Sequence, residues 1–432
     1  MKISSILGLN SRTGLFAYRY NSRRGKMIAN SKIQTSRALK KAKIPHPQII
    51  KIFRDPGGVV RFDWDSLPDK FALKPSRGLG GAGIIVVKKR TLDQKGWITT
   101  QKEKVVSGDL KLHAIDILEG AFSMGNEPDV ALIQEYVGRA EVFKKWAFRG
   151  TPDIRVIVFN KVPVMAMLRL PTRESGGRAN LHQGAVGVGV DIATGISTYA
   201  IWHGEQIVFK PGTQSKFRGI KIPSWEKVLL TAVNATLALG LGYAGVDIVI
   251  HPDKGPMVLE VNAQPGLQIQ LANMDGLRRR LERVDDLSVE DPQQGVKIAE
   301  AIFAGRFANR NQIKEGVKTI EASEEIKVID AKGRKVKVRA KIDTGAWSSS
   351  IDREFAKEAG LLGPSNILWH DKKRSAFGEE KRPIIAVTLY LAGRKITTNM
   401  SVANRSKLTY KVLIGRTDLH GFLVKPWIEK KK

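Results

Sequence analysis

Three polar side chains on neighbouring predicted strands give the most specific chemical signal in this sequence of 432 residues. Asp247 stands in GVDIVI, and Glu260 and Asn262 stand two residues apart in VLEVN. Because the side chains of a strand alternate between its two faces, these three groups can share one face of a hairpin. Two carboxylates and a carboxamide are hard oxygen ligands that suit magnesium held jointly with nucleotide phosphates. The alternative is a polar edge hairpin, although charges inside apolar strands are costly unless they are paired or coordinated.

A glycine-rich loop between two predicted strands is the second signal. The segment KPSRGLGGAG runs from Lys74 to Gly83, between strands predicted over residues 71–74 and 84–88. Glycines let backbone amides approach phosphate oxygens closely, and Lys74 can neutralise charge on a triphosphate. The loop lacks the Lys-Ser/Thr end of a Walker loop and the helix that follows a Rossmann loop, so by itself it is weak evidence.

The elements that must position these residues mix helices and strands. The turn at Asn160 and Lys161 predicts a hairpin between residues 153–159 and 162–170. This mixture indicates an α+β fold rather than a repeating parallel βαβ fold. Further helices are predicted over residues 31–43 and 224–239, and further strands over residues 49–53, 130–136, 244–250 and 257–261.

Composition excludes several classes of protein. The chain has 72 Lys+Arg against 42 Asp+Glu, a net charge of +30, but its 42% hydrophobic residues can still build substantial cores. The absence of cysteine excludes disulfide frameworks, thiolate zinc sites and cysteine nucleophiles. We expect no membrane span and a cytoplasmic location. The first 43 residues hold 11 Lys+Arg and no acidic residue. Because of the net charge of +30, a protein that binds nucleic acid or a membrane surface remains an alternative.

The order of the motifs resembles the ATP-grasp carboxylate-amine ligases, and most of all the RimK-type alpha-L-glutamate ligases. The motifs are Lys32, KPSRGLGGAG, IQEYV, DIRVIV, NLHQGA, GVDIV and LEVNAQPGL, and they span about residues 25–275. The resemblance implies an ADP-forming enzyme that uses ATP with Mg²⁺, or alternatively Mn²⁺. It would activate a carboxylate as an acyl phosphate and join it to an amine. The implied partners are an amino acid such as glutamate and a peptide or protein acceptor, which could be acidic.

The resemblance also implies roles for individual residues. Lys32 and Lys74 would hold the α- and β-phosphates, although a solvated helix lysine is the alternative for Lys32. Magnesium would bind Asp247, Glu260 and Asn262. The γ-phosphate would lie under a lid that includes Ser76, Gly78, Gly80, Gly81 and Gly83. Adenine would bind the hinge formed by Gln134, Glu135, Tyr136 and Val137, and the acyl phosphate or carboxylate would meet Arg155, Arg169 and Asn180.

Two features depart from the RimK-type pattern. Those ligases usually carry a separate domain before the first lysine, whereas 31 residues precede Lys32 here. Residues 138–152 (GRAEVFKKWAFRGTP) form an additional segment that resembles nothing in the family. Because of both departures, the sequence does not identify the substrate. An ATP-grasp phosphotransferase remains a further alternative.

A second domain is predicted beyond a polar linker at residues 309–323. We assign residues 1–308 to the ATP-grasp domain, with a basic segment at 1–31, and residues 324–432 to a small, mostly-β domain. Its Asp-Thr-Gly turn at Asp343 and the later VLIGR from Val412 resemble the retropepsin-like aspartic proteinases. They also resemble a family described as ATP-dependent zinc proteases that accompanies RimK-type ligases, in which an arginine is common where this chain has Trp347.

Aspartic proteolysis needs two carboxylates that share one proton around a water molecule. This domain offers one such residue, Asp343, so the resemblance implies a homodimer with one Asp343 from each subunit. The alternative is a fold retained for binding or dimerisation without cleavage. Zinc is poorly supported, because the domain has no HExxH motif, no cysteine, and only His370 and His420 as histidines.

Overall fold

The computed structural model describes residues 5–78, 81–303, 316–375 and 378–425. The chain divides into two units, Met1–Asp286 and Leu287–Lys432. Helices and strands are mixed in the first unit, whereas strands dominate the second.

The first unit opens with a layer of short helices. Ser22 and Ser31 begin α1 and α2, and each side chain accepts a hydrogen bond from a backbone amide of the first turn. The predicted helix over residues 31–43 is confirmed as α2. The helices are Leu9–Ser11, the π-helical Arg12–Ala17, Tyr18–Tyr20, α1 (Arg23–Ala29) and α2 (Lys32–Lys41).

A six-stranded antiparallel sheet follows. Its order is β1-β6-β2-β3-β4-β5, and α3 covers one face with Leu110, Ala114 and Ile117 buried. Phe71 and Trp97 pack edge to face in the core beneath that helix. The strands are β1 (Ile49–Phe53), β2 (Phe71–Pro75), β3 (Ile85–Arg90), β4 (Trp97–Thr99), β5 (Lys104–Val105) and β6 (Ala131–Glu135). The helices are Pro56–Arg61 and α3 (Ser107–Leu118).

A seven-stranded antiparallel sheet completes the first unit. Its order is β11-β10-β9-β8-β7-β12-β13, and the long helix α4 packs against the four strands at the β13 end. The predicted hairpin is confirmed, because Asn160 and Lys161 both adopt positive φ between β7 and β8. The strands are β7 (Asp153–Phe159), β8 (Val162–Leu170), β9 (Val186–Val190), β10 (Ser197–Trp202), β11 (Glu205–Ile207), β12 (Tyr243–His251) and β13 (Gly255–Asn262). The helices are Glu141–Lys144, α4 (Trp225–Ala238), Ile269–Asn273 and Leu277–Glu282.

The second unit contains a barrel. Its main sheet has the order β15-β16-β21-β17-β20-β19-β18, and a further pairing between β15 and β19 closes six of these strands into a ring. The ring encloses an apolar core that includes Ile326, Val387 and Met400. The strands are β14 (Lys318–Glu321), β15 (Ser323–Ile329), β16 (Lys335–Ile342), β17 (Ser350–Asp352), β18 (Ile367–Ser375), β19 (Gly378–Leu391), β20 (Arg394–Ala403), β21 (Val412–Ile414) and β22 (Phe422–Lys425). The helices are α5 (Pro292–Phe303) and α6 (Arg353–Glu358).

The boundary between the units lies earlier than the sequence predicted. Composition placed it in a linker at residues 309–323, but the chain divides after Asp286. Helix α5 belongs with the strands that follow it, because Asn399 donates to the Ala301 carbonyl at 2.9 Å and Gln294 to the Ile367 carbonyl at 3.0 Å. The described part of the predicted linker includes strand β14, which pairs in parallel with β22.

None of the helices in the described ranges is long and apolar enough to span a bilayer.

Candidate functional site

One face of the seven-stranded sheet carries a row of charged and polar side chains. The strand registers place Asp153 opposite Arg169, Arg155 opposite Asp247, and Asp247 opposite Glu260. Directly opposed residues of an antiparallel pair project to the same face. Asn262 shares this face because it lies two residues from Glu260. The sequence-predicted arginines and metal ligands are therefore brought together across four neighbouring strands.

Asp247 is the centre of this row. Its carboxylate accepts the Nε and Nη2 hydrogens of Arg155, both at 2.7 Å, in a bidentate pair. Arg169 donates from Nη2 to the same Oδ2 atom at 2.7 Å and also binds both oxygens of Asp153. The side chain of Asp247 is 2% exposed, so these guanidinium groups provide its counter-charge.

The two buried carboxylates of this network differ in acidity. Burial acts to raise the pKa of both, but Arg155 and Arg169 together hold the pKa of Asp247 below its usual range. Asp153 has Arg169 as its hydrogen-bonded cation, and burial together with the nearby Asp247 charge raises its pKa. The hydrogen bonds agree with this difference in direction, because two guanidinium groups bind Asp247 and one binds Asp153.

The donor set fits a magnesium ion that is shared with phosphate oxygens. Glu260 is half-buried and makes no ion pair with any residue in the described ranges. Asn262 donates its Nδ2 hydrogen to Asp247 Oδ2 at 3.4 Å, which leaves its carbonyl oxygen available as a ligand. Asp247 Oδ1 accepts one hydrogen bond and keeps a second lone pair. No group of three or more His, Asp or Glu side chains that could hold a metal alone occurs among the described residues, so phosphate oxygens would have to complete the shell.

Lys32 lies against the glycine-rich loop. Its Nζ donates to the carbonyl oxygens of Ser76 and Gly78 at 3.3 and 3.4 Å, and its backbone amide also donates to Ser76. Lys32 is the first residue of α2, where the Ser31 cap fixes the start of the helix. Its side chain is therefore held at the loop, in contrast to the freely solvated lysine of the alternative interpretation.

Lys74 is a buried cation beside the same loop. It is 6% exposed at the end of β2, with Lys32 and Glu260 as its electrostatic neighbours. Burial, with a smaller contribution from the Lys32 charge, lowers the pKa of Lys74 to about 7. An anion that enters the space between the lysines would reverse this penalty. Both predicted lysines and one predicted metal ligand thus share one electrostatic neighbourhood.

The lid needs glycine at two of its predicted positions. Gly81 and Gly83 adopt positive φ of 82° and 68°, a region that other residues rarely enter. A Cβ atom on Gly83 would also lie 2.5 Å from the Phe122 ring. Ser76 is buried at the base of the lid, where its amide donates to the Val130 carbonyl. Gly80 lies outside the described residues.

The predicted hinge connects β6 to the other sheet. Gln134 is buried and donates to the Pro47 carbonyl at 2.8 Å. Glu135 pairs with Lys254, and although burial opposes ionisation, the Lys254 ammonium and the Gln48 amide hold the pKa of Glu135 below its usual range. The side chains of these two residues are thus committed to protein contacts. In the part of the chain that the structure describes, the Tyr136 carbonyl and the Val137 amide have no partner, so they can bind a ligand at the hinge.

Asn180 and the additional segment at residues 138–152 shape the neighbouring loop. Asn180 accepts a hydrogen bond from the His182 amide at 3.0 Å and caps the short helix Leu181–Gln183. In the additional segment, Arg149 donates to Gln101, and Gln101 in turn donates to the Gly176 carbonyl. The segment therefore ties the six-stranded sheet to the arginine-rich loop that precedes Asn180.

Sequence reasoning missed three residues of this site. Asp153 stands two residues before Arg155, so the same period of two could have identified it as part of the charged face. Arg12 donates to the carbonyls of Gln264 and Pro265 at 3.3 and 3.0 Å, directly after the Asn262 strand. Asn21 is buried and donates to the Tyr243 and Ala263 carbonyls at 2.8 and 3.2 Å. Nothing in local spacing could have found Arg12 and Asn21, because their partners are more than 200 residues away.

In the second unit, Asp343 presents its carboxylate at the end of β16. Its Oδ1 accepts the amides of Gly345 and Ala346 at 2.9 and 3.1 Å, and its amide donates to the Ile414 carbonyl. Burial acts to raise the pKa of Asp343, but the two amides and the Lys341 charge hold it below its usual range. The turn therefore favours an ionised carboxylate in the single chain.

The loop that follows β21 donates backbone hydrogen bonds to Ala346 and Trp347, directly after the Asp343 turn, and it carries a second acid with a different environment. Asp418 accepts the hydroxyl of the buried Ser349, and burial raises the pKa of Asp418. The side chain of Trp347 is exposed, and the Arg416 guanidinium lies over its ring at 5.2 Å. Asp418 is thus held by Ser349, while the Asp343 turn remains accessible.

The chain is similar to several known proteins. A probable alpha-L-glutamate ligase of Azotobacter vinelandii is 29% identical over 204 residues, which are 47% of this chain and 48% of that protein. A probable alpha-L-glutamate ligase of Saccharophagus degradans is 31% identical over 211 residues, covering 49% and 52%. The chain thus spans about half the length of the curated relatives it matches. The solved ATP-grasp ligase PsnB with its minimal precursor is 20% identical, covers 62% of each chain and superposes with a TM-score of 0.34.

The match to a family model covers more than half of the chain. The family model described as sugar-transfer associated ATP-grasp matches residues 11–286. That range contains both sheets, both lysines, the glycine-rich loop and the charged face, and it ends where the first unit ends. The chain therefore belongs to the sugar-transfer associated ATP-grasp family.

Proposed function

We propose that the first unit is an ATP-dependent carboxylate-amine ligase that adds an amino acid, with glutamate as the first candidate, to an amine of a peptide or protein. One observation carries the proposal: Lys32 contacts the glycine-rich loop, and Lys74, where that loop begins, has Lys32 and Glu260 as electrostatic neighbours. The glutamate assignment is supported by the names of the relatives, which are probable alpha-L-glutamate ligases.

The chemistry of such a ligase divides among the residues of the site. A substrate carboxylate oxygen attacks the γ-phosphorus of ATP, and the bond between that phosphorus and the oxygen bridging it to the β-phosphate breaks. ADP departs, and the substrate carries the phosphoryl group as an acyl phosphate. An amine then attacks the acyl carbon, loses a proton and displaces inorganic phosphate. Lys32 and Lys74 would neutralise phosphate charge, and Arg155 would orient the activated carboxylate.

Glu260, Asn262 and the remaining lone pair of Asp247 would hold magnesium, or manganese in its place. The bound ion supplies charge neutralisation at the phosphates. Arg155 and Arg169 are held rigidly by Asp247 and Asp153, so they need little reorganisation when a substrate binds.

The test is turnover with defined substrates. We expect ADP and inorganic phosphate in equal amounts when the protein meets ATP, magnesium, glutamate and a peptide, with product mass raised by one glutamyl residue. Lys74→Ala should lower the rate, whereas Lys88→Ala, an exposed lysine on β3 of the same sheet, should not. Phosphate that stays on the acceptor would instead identify a phosphotransferase. No ADP release with any amino acid would refute the ligase.

We further propose that the second unit is a retropepsin-like half-site whose activity requires a homodimer. The observation that favours it is the Asp343 turn, in which two backbone amides present an accessible carboxylate at the end of a barrel strand. Asp343→Asn should abolish peptide cleavage without changing ADP release, and cleavage by a demonstrated monomer would refute the half-site.

A further inference from the structure

A basic cleft lies between α1 and α2, outside the residues assigned to nucleotide and metal. Its volume is about 900 Å³, which is in the range of small-ligand and short-peptide sites. Its lining includes the cations Arg23, Arg24, Arg37 and Lys41 and the apolar side chains of Met27, Ile28, Ala38 and Ala42.

The positive charge of the cleft is not neutralised by its surroundings. No acidic residue lines it, and residues 1–43 contain none. Within the described part of the chain, none of the four cationic side chains makes an ion pair or a hydrogen bond. Four unpaired cations around one concave surface attract a ligand with several negative charges.

The walls of the cleft are held in place by the fold. Gly25 of α1 packs so closely on the end of α4 that a Cβ atom would lie 2.7 Å from the Leu239 carbonyl oxygen. The Thr35 hydroxyl of α2 donates to the Ile28 carbonyl of α1 at 2.9 Å and joins the two walls. A preformed site loses little conformational entropy when a ligand binds.

The cleft and the nucleotide site share one helix. Lys32, at the start of α2, contacts the glycine-rich loop, while Arg37 and Lys41 of the same helix line the cleft. At 1.5 Å per residue, the cleft extends roughly 14 Å along the helix from Lys32. At 3.6 residues per turn, Arg37 and Lys41 lie about 140° and 180° around the helix from Lys32, so the cleft opens on the opposite face of α2 from the glycine-rich loop.

The shape and chemistry of the lining favour one class of ligand. Guanidinium groups bind carboxylates through two parallel hydrogen bonds, and the apolar floor suits the methylene groups of glutamate side chains. The lining has no aromatic side chain on which a nucleic-acid base could stack.

We propose that this cleft binds an acidic peptide rich in glutamate, which serves as the acceptor or the product of the ligase. The choice of glutamate rests on the proposed function, whereas the preference for several carboxylates follows from the four unpaired cations. The cleft would hold the acidic chain on the outer face of α2, and the end of the chain would have to pass around this helix to reach the activated carboxylate.

Binding without ATP tests the proposal on the full-length protein. A fluorescently labelled oligo-glutamate peptide should bind, and rising salt should weaken the binding. An oligo-glutamine peptide of equal length should not bind measurably. The triple variant Arg23→Gln, Arg24→Gln, Arg37→Gln should bind oligo-glutamate about tenfold more weakly or worse. The control Lys88→Gln, Lys89→Gln changes exposed cations elsewhere in the same unit and should bind as the wild type does.

Several outcomes would overturn the proposal. One is equal oligo-glutamate affinity for the wild type and the triple variant, with circular dichroism showing that both are folded. Another is binding to vesicles of anionic phospholipid, or to single-stranded RNA, that is tighter than binding to oligo-glutamate. This binding would be lost in the triple variant and would not be displaced by oligo-glutamate. The matched triple variant Arg23→Lys, Arg24→Lys, Arg37→Lys keeps the three charges and should retain most of the affinity; a loss as large as in the Gln variant would also count against the proposal.

The fate of the cleft and the fate of the ligase can be separated. The protein could bind oligo-glutamate through Arg23, Arg24 and Arg37 and yet release no ADP. That result would support the proposed peptide site and refute the proposed ligase activity. ADP release with glutamate, together with no such binding, would keep the ligase and refute the cleft.

Discussion

Arg155 and Asp247 lie directly opposite each other on neighbouring antiparallel strands, and the Arg155 guanidinium donates a hydrogen bond of 2.7 Å to each carboxylate oxygen. A carboxylate predicted as a metal ligand is thus also the counter-charge of Arg155 and Arg169. Replacing Asp247 would therefore remove a predicted magnesium ligand and would also destabilise the sheet. The metal role must therefore be tested first at a residue without this second role.

Glu260 is that residue. We expect Glu260→Gln to leave the free energy of unfolding within about 0.5 kcal/mol of the wild type, because Glu260 makes no ion pair in the described ranges. ADP release should fall by about 100-fold and become less sensitive to magnesium concentration. Urea unfolding and a magnesium titration of turnover measure the two effects. Wild-type magnesium dependence in this variant would contradict the metal role.

Asp247→Asn should behave differently, because it leaves two buried guanidinium groups opposite a neutral amide. We expect it to lower the free energy of unfolding by about 3–5 kcal/mol. As a control, Glu282→Gln removes an exposed helical ion pair with Arg278 and should cost less than about 1 kcal/mol. Equal costs for the two variants in urea unfolding would mean that Asp247 is not a structural counter-charge.

Lys74 should take up a proton when nucleotide binds. Its pKa in the free protein is about 7, so at pH 8 most molecules have a neutral lysine, and phosphate charge would favour the protonated form. Nucleotide affinity should therefore fall as the pH rises from about 6.5 to 9. Calorimetry in buffers of different protonation enthalpy measures the uptake, and Lys74→Met should remove it. The same uptake in both proteins would contradict the assignment.

The same lowered pKa predicts a pH-dependent stability. Between about 7 and its ordinary value of 10.5, the unfolded chain binds a proton at Lys74 that the folded chain does not. The free energy of unfolding should therefore rise with pH across this window. Lys74→Met should flatten that rise in urea unfolding measured at several pH values.

Gly25 should be required for the packing of α1. Gly25→Ala places a methyl group 2.7 and 2.8 Å from the carbonyl oxygens of Leu239 and Gly240, so we expect a loss of about 1–3 kcal/mol. Gly108→Ala, in α3, meets no atom within 4 Å and should be neutral or stabilising by up to about 1 kcal/mol. Thermal or urea unfolding compares them, and equal effects would show that the close approach at Gly25 does not matter.

Asp343 should be needed for any peptide cleavage. A partner carboxylate would raise the pKa of one Asp343 of the pair, so cleavage should be favoured at acidic pH and should fall on dilution faster than the protein concentration does. Asp343→Asn should abolish cleavage without changing ADP release. Cleavage by a demonstrated monomer, or cleavage that survives Asp343→Asn but stops with a chelator, would refute the paired-aspartate mechanism and favour zinc.

Short-range pattern was sufficient for much of the site. The alternation of side chains along a strand predicted that Glu260 and Asn262 share one face, and the turn at Asn160 and Lys161 predicted the hairpin around it. Both predictions were possible because they depend on residues that are close in the chain. The ordered motifs pointed to the ATP-grasp family for the same reason. Each motif is a local strand, loop or turn whose residue types report its own chemistry.

Only the tertiary structure decided which groups meet across long separations. Arg155 and Asp247 are 92 residues apart, and Arg12 lies 253 residues from Pro265, so no local period connects them. Burial is likewise a property of the whole fold: it lowers the pKa of Lys74 and makes Asp247 depend on two arginines. The closure of β15 on β19 and the attachment of α5 to the second unit also arise from contacts between distant segments. Sequence determined the chemistry that each segment can offer, whereas packing determined the partners of each charge, because electrostatic energies depend on distance and burial in the folded chain.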